Sequence, residues 1–276
     1  MFNSFALNSI LERLDSRDKD FRFMAAKDLL EQLQSVEDGK LDIDSANRIR
    51  SALVGRLKDQ HGDVSDMALA CYGPLVAKIG HAVVINDVCD SAFEVMGSEE
   101  HVDVAAAAMK RVLQQLPSTP FADVVTERVV PNLLRGTSTS VSAQMQFACL
   151  ELLALTLELF GRELSDQADV LQRSLLPQLS AHDRGCRRLA IACTASLAQR
   201  LPDQSLQSLL RTLVAQVDQG LTHAALANPA SLDSTRSVVQ TLSAVVSSAG
   251  GRAAPELPAI ARVSVRAAHA GLRGLR

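Results

Sequence analysis

The amino-acid sequence predicts an all-α protein made of about six helical hairpins laid side by side, and three observations carry that expectation. Ala, Leu, Val, Gln and Ser dominate a chain with only 3% aromatic residues, no Trp and a single Tyr, Tyr72, a composition that favours helix over sheet. Apolar residues recur at helical spacing in paired stretches separated by short polar turns. The pairs themselves recur along 276 residues that are 47% apolar, a length at which one compact core is no longer the rule.

Residues 44–80 show the unit most plainly. Ala46, Ile49, Leu53 and Leu57 form one helical stripe, residues 58–63 a polar turn, and Val64, Ala68, Cys71, Leu75 and Ile79 a second stripe. Asp44 or Ser45 is expected to cap the first helix and Asp63 the second, with Gly80 at the exit. Taking the apolar or small residue that opens each second helix, Phe21, Val64, Val104, Val141, Cys186 and Thr235 align, with steps of 43, 40, 37, 45 and 49. These steps bracket the period of roughly 40–47 residues typical of HEAT and armadillo repeats and exclude the shorter ankyrin and tetratricopeptide units. Pro131 and Pro177 fall inside expected first helices, where each removes a backbone hydrogen bond, and Pro74 falls inside a second helix. One hairpin cannot bury both of its apolar faces, so the expected product is a HEAT-repeat, armadillo-like α-solenoid whose inner surface, built from second helices, holds partners.

Two stretches depart from the pattern. Residues 219–234 are punctuated by Gly, Pro and Ser, and 250–276 are rich in small residues and arginine. Both are expected to be less ordered than the rest, and the domain expectation is a repeat array over 1–258 followed by a divergent basic tail over 259–276.

Charge and motifs bound the function. Residues 1–103 carry 19 acidic and 11 basic side chains, and 104–276 carry 12 and 17, within a net charge of −3. An acidic end with few aromatics argues against a nucleic-acid groove and suits steering of a basic protein partner. The long apolar stretches are broken by charge, Gly or Pro, so no membrane span is expected. Five cysteines without a C-x-x-C pair point to a reducing compartment, cytoplasm or nucleus. Cys71, Cys149 and Cys193 lie on second-helix stripes and read as small core residues, and His61 and His182 as turn residues. No H-E-x-x-H, Gly-rich phosphate loop or G-x-S-x-G is present, so neither an enzyme nor a cofactor nor a metal site is expected. The charged turns remain as partner-binding candidates: Asp18, Asp20, Arg22, Lys27 and Asp28 at the first hairpin, and Arg184, Arg187 and Arg188 at the fifth.

The segment DKDFRFMAAKDLLEQLQ at 18–34 resembles the opening of the cullin-associated, neddylation-dissociated (CAND) proteins. KLDIDS (40–45), GPLVAKI (73–79), LLPQL (175–179) and STRSVVQTLSAVVSSAGGR (234–252) resemble the same family in the same order. The resemblance covers residues 1 to about 258 and ends where ARVSVRAAHAGLRGLR begins. It implies a scaffold for cullin-RING ligase assembly, whose N-terminal repeats embrace the C-terminal region of an unmodified cullin with its RING subunit. It leaves open a separate C-terminal CAND chain as a further partner. The competing reading is a HEAT adaptor of another system, a phosphatase scaffold or a nuclear-transport protein.

Overall fold

The computed structural model describes residues 4–117, 120–138, 140–222 and 228–271, and the fold is all-α, of the HEAT-repeat type. It divides into two compact units, Met1–Asn132 and Leu133–Arg276. Extended pairing among the described residues is confined to one bridge, Leu41 with Ile79.

The first unit holds α1 (Ser4–Leu14), α2 (Lys19–Ser35), α3 (Ile43–Leu57), α4 (Gly62–Lys78), α5 (Ala82–Met96) and α6 (Val102–Gln115). Second helices pack side by side, α4 against both α2 and α6. The stripe Ala46, Ile49, Leu53 and Leu57 is fully buried, as is that of Val64, Ala68, Cys71 and Leu75. At about 25 cal/mol per Å² of apolar area removed from water, such stripes are what hold neighbouring hairpins together. The expected register needs correction at two helices. The buried stripe of α2 opens at Arg22, with Phe21 exposed, and that of α6 follows Ala105 rather than Val104. The caps also differ from expectation. Asp42, not Asp44 or Ser45, caps α3 by accepting the Ser45 N–H at 2.8 Å, and α4 starts after His61, with Asp63 in its first turn.

Gly80 is needed for space rather than for an unusual φ. The loop before α3 runs along the end of α4, with the Leu41 N–H donating to the Lys78 carbonyl at 2.9 Å, and a Cβ on Gly80 would lie 2.8 Å from the Gly39 carbonyl oxygen. Gly39 itself has φ +70°, a left-handed conformation that glycine adopts without steric penalty.

After α7 (Ala122–Val124) the helix widens into a π turn over Val125–Val129 and continues as α8 (Val130–Gly136). Pro131 explains the widening: its ring has no N–H and collides with the carbonyl four residues back, and the Val130 N–H reaches instead to Val125 O.

The second unit contains α9 (Ala143–Phe160), α10 (Ala168–Gln178), α11 (Arg184–Ala198), α12 (Asp203–Gly220), α13 (Pro229–Ala249) and α14 (Leu257–His269). Its second helices α9, α11 and α13 again pack in sequence order. Val141 precedes α9, whose cap is Ser142, so it opens no stripe; Cys186 is buried in the first turn of α11, and Thr235 is buried but lies inside α13, which opens at Pro229. Pro177 sits in the last turn of α10. By length and composition alone α9 is apolar enough to cross a membrane, with a mean hydropathy of 1.3 over 18 residues. It nonetheless carries exposed Glu151 and Glu158 and packs its buried face against α11, as a core helix does.

The described residues of the two stretches expected to be less ordered are largely helical, and 272–276 lie outside them. Within 219–234, α12 runs to Gly220 and α13 starts at Pro229, while 223–227 lie outside the described residues. Most of 250–271 is helical too: a 3-10 segment over Gly250–Glu256 leads into α14, which buries Ile260, Val263 and Ala267 and packs on α12. Small residues there serve close packing. Arg262 and Arg266 both pair with Asp218.

The thiols tie the second helices to one another. Cys71 Sγ lies 3.5 Å from the Ala26 carbonyl oxygen, Cys193 Sγ 3.6 Å from that of Leu150, and Cys186 Sγ 3.8 Å from that of Ala143. The sequence separations are 45, 43 and 43 residues, one repeat each. Burial raises the thiols of Cys71, Cys89, Cys149 and Cys193 to about 12 and that of Cys186 to about 11, so all five are weak nucleophiles.

Candidate partner-binding site

The turn of the first hairpin divides its charges between interior and solvent. Asp18 caps α2 by accepting the Asp20 N–H at 2.8 Å, and both side chains are exposed, as is Lys27. Arg22 is 7% exposed and is not free to meet a partner. Its Nε and Nη2 donate to the two Asp59 oxygens at 2.7 and 2.9 Å, and its Nη1 donates to the carbonyls of Ser16 and Arg17 at 3.0 and 2.9 Å. Asp28 is half-buried and pairs with Arg13 at 2.7 Å. Burial alone would raise the Asp59 carboxyl, but the Arg22 guanidinium and the His61 N–H outweigh it and hold the group down at about 2. Arg22 thus spends its donors within the chain, and Asp28 is held in a half-exposed ion pair. Next to Asp20, the exposed face of α2 carries Phe21 and Met24.

The fifth hairpin arranges its arginines differently. Asp183 caps α11 by accepting the Cys186 N–H at 2.8 Å, and that bond keeps its carboxyl below the usual range. Arg187 turns back, as Arg22 does, and donates to the carbonyls of Ala181 and His182 at 2.7 and 2.8 Å. Arg184 and Arg188 are exposed and have no intramolecular hydrogen-bond or carboxylate partner among the described residues. They sit one helical turn apart, a like-charge spacing that costs an isolated helix about 0.2–0.5 kcal/mol.

Both arginines line a groove of about 600 Å³ between α11 and α13, completed by Arg187, Ile191, Asp233, Arg236, Ser237 and Gln240. Four guanidinium groups thus face one carboxylate, and that carboxylate is already paired, Asp233 with Arg236 at 2.9 Å. At the mouth of the α11 turn lies Phe147 of α9, 42% exposed. Its ring rests on Gly185, where a Cβ would come within 2.9 Å of a ring carbon. The glycine makes room for an aromatic beside the arginines. Exposed aromatic and arginine side chains next to a groove are the residue types that dominate binding energy in protein interfaces.

The sequence singled out Arg184, Arg187 and Arg188 but missed Arg236, Gln240 and Phe147. A signal existed for one of them: Arg187 and Arg236 are 49 residues apart, the same step that separates Cys186 from Thr235. Every cation after Lys110 is an arginine, the side chain whose planar fork pairs with carboxylates in a bidentate way.

No family model matches the chain. Curated proteins do. Over 252 residues it is 30% identical to cullin-associated NEDD8-dissociated protein 1 of Arabidopsis thaliana, covering 89% of this chain and 20% of that protein. Over 262 residues it is 31% identical to cullin-associated NEDD8-dissociated protein 2 of Mus musculus, covering 90% and 20%. The chain is a relative of the CAND proteins. A 75-residue stretch, 26% of the chain, is 43% identical to a CAND protein of Emericella nidulans named as the N-terminal part. The chain spans about a fifth of the length of the full CAND relatives it matches. Among solved structures it resembles the karyopherin Kap121p bound to Nup53p, with a TM-score of 0.67 at 13% identity over 97% of this chain and 28% of that one. It also resembles the third TOG domain of Drosophila melanogaster Mini spindles, with a TM-score of 0.54 at 14% identity, covering 74% and 85%. At such identities these two likenesses establish the fold alone.

Proposed function

We propose that the chain is a non-enzymatic cullin-binding scaffold, the N-terminal part of a CAND-type substrate-receptor exchange factor. On this reading its second helices hold the C-terminal region of an unmodified cullin with its RING subunit and so regulate cullin-RING ligase assembly. The observation that carries the reading is the sequence similarity to CAND proteins over about nine tenths of the chain. Two features of the molecule support a gripping role: helices whose exposed faces carry unpaired arginines beside an aromatic, and opposite charge balance in the two parts of the sequence. A cytoplasmic or nuclear setting fits five unpaired thiols, all buried. A separate C-terminal CAND chain is a second proposed partner.

The test is capture of purified cullin–RING complexes by the immobilised chain, with and without the ubiquitin-like modifier on the cullin. Retention of the unmodified complex and loss of the modified one is the expected outcome. Retention of neither overturns the reading and returns the chain to the nuclear-transport or phosphatase-scaffold class of HEAT adaptor. Co-precipitation with C-terminal CAND repeats supplied as a second chain tests the other partner.

A further inference from the structure

We propose that the groove between α11 and α13 receives an acidic peptide segment of the bound protein, its carboxylates on Arg184, Arg188 and Arg236 and an adjoining apolar side chain on Ile191. The proposal rests on the partner-binding reading above and adds the chemistry of what is held.

Three observations select a carboxylate-bearing peptide. First, Arg184 and Arg188 stand next to each other with no counter-ion among the described residues, whereas Arg211 pairs with Glu256, Arg252 with Asp203, and Arg262 and Arg266 with Asp218. Second, the groove already binds one carboxylate of its own. Asp233 lies against Arg236 at 2.9 Å with both side chains half exposed or more, so an incoming carboxylate can take its place on the guanidinium. That same Asp233 disfavours a densely charged phosphate cluster, which would meet it head on, more than it disfavours single carboxylates spaced along a chain. Third, the remaining lining is suited to peptide. Gln240 offers an amide, Ser237 a hydroxyl and Ile191 an apolar wall.

The experiment uses the full chain and fluorescence anisotropy of a labelled octapeptide, Glu-Leu-Glu-Gly repeated twice, with a Gln-for-Glu peptide as control. The Glu peptide is expected to bind at least about tenfold more tightly than the Gln peptide, with affinity falling as salt rises. The double variant Arg184→Glu with Arg188→Glu should lose about tenfold and acquire preference for a Lys-for-Glu peptide, a gain that a misfolded variant cannot produce. Asp233→Asn frees Arg236 and should tighten binding about threefold. Equal binding of the Glu and Gln peptides, or unchanged affinity in the double variant, overturns the proposal. So does displacement of the peptide by millimolar inorganic phosphate where acetate has no effect, which would assign the groove to phosphate. Cullin capture by the wild-type chain is scored separately: its failure sinks the cullin reading while leaving the peptide result intact, and the converse outcome sinks the groove alone.

Discussion

Arg22 shows how much one side chain can do inside a helical array. It occupies the position where α4 has Val64 and α11 has Cys186, yet it is buried because Asp59 and two turn carbonyls satisfy its donors. Arg22→Met leaves the Asp59 carboxylate in the interior without its main partner, so a loss of about 3 kcal/mol is expected, read as a lower denaturant midpoint. The pH dependence has a definite sign. Asp59 ionises at about 2 in the folded chain, below the ordinary value of about 3.9. Its contribution is therefore complete above about pH 4 and drains away as pH falls toward 2. Thermal midpoints from pH 5 to 2 should fall more steeply for the wild type than for Asp59→Asn, and equal slopes would exclude this account. The sequence showed that Arg22 bore charge in a turn but not that the turn faced inward. Burial of an arginine depends on Asp59, 37 residues away, and local periodicity carries no information about such a pairing.

Among the elements, the helix pairs were readable because amphipathic stripes and repeat-length steps are local signals. The helix over 257–269 was not, since its burial rests on Ile260, Val263 and Ala267 set among alanines and arginines that read as a tail. The π turn before Pro131 was half readable: the proline announced a disturbance, but not that the helix would widen rather than end. Glycines placed for contact were also missed. A methyl on Gly136 would land on Cys149 Sγ, so Gly136→Ala is expected to cost about 1–3 kcal/mol by overpacking, measured by chemical denaturation. Cys149→Ala in the same chain should restore part of that loss. Of the binding groove, the α11 half was visible as an Arg-rich turn. The α13 half was hidden because its contribution, Asp233, Arg236, Ser237 and Gln240, is spread along an otherwise Ser- and Val-rich helix.

For the molecule as a whole, the charge imbalance seen in the composition acquires a location. Residues 1–103 are net acidic, and Asp18 and Asp20 are exposed there. Arg184 and Arg188, exposed and adjacent, lie in the net basic remainder. Reversing Arg184 and Arg188 together should slow association with a cullin–RING complex and reduce its salt sensitivity, with affinity down about tenfold. Reversing Asp18 and Asp20 together tests the other end by the same kinetic measurement. Unchanged association rates in both variants would remove these charges from the binding surface.

The arginine-only chemistry of the second unit reaches beyond recognition. Guanidinium groups stay protonated and do not form isopeptide bonds, and every lysine in the sequence lies at or before Lys110. Acylation, glycation and attachment of small protein tags to ε-amines are thereby confined to the first 110 positions. More than half the molecule can stay in the company of tag-attaching enzymes while presenting them no lysine to modify.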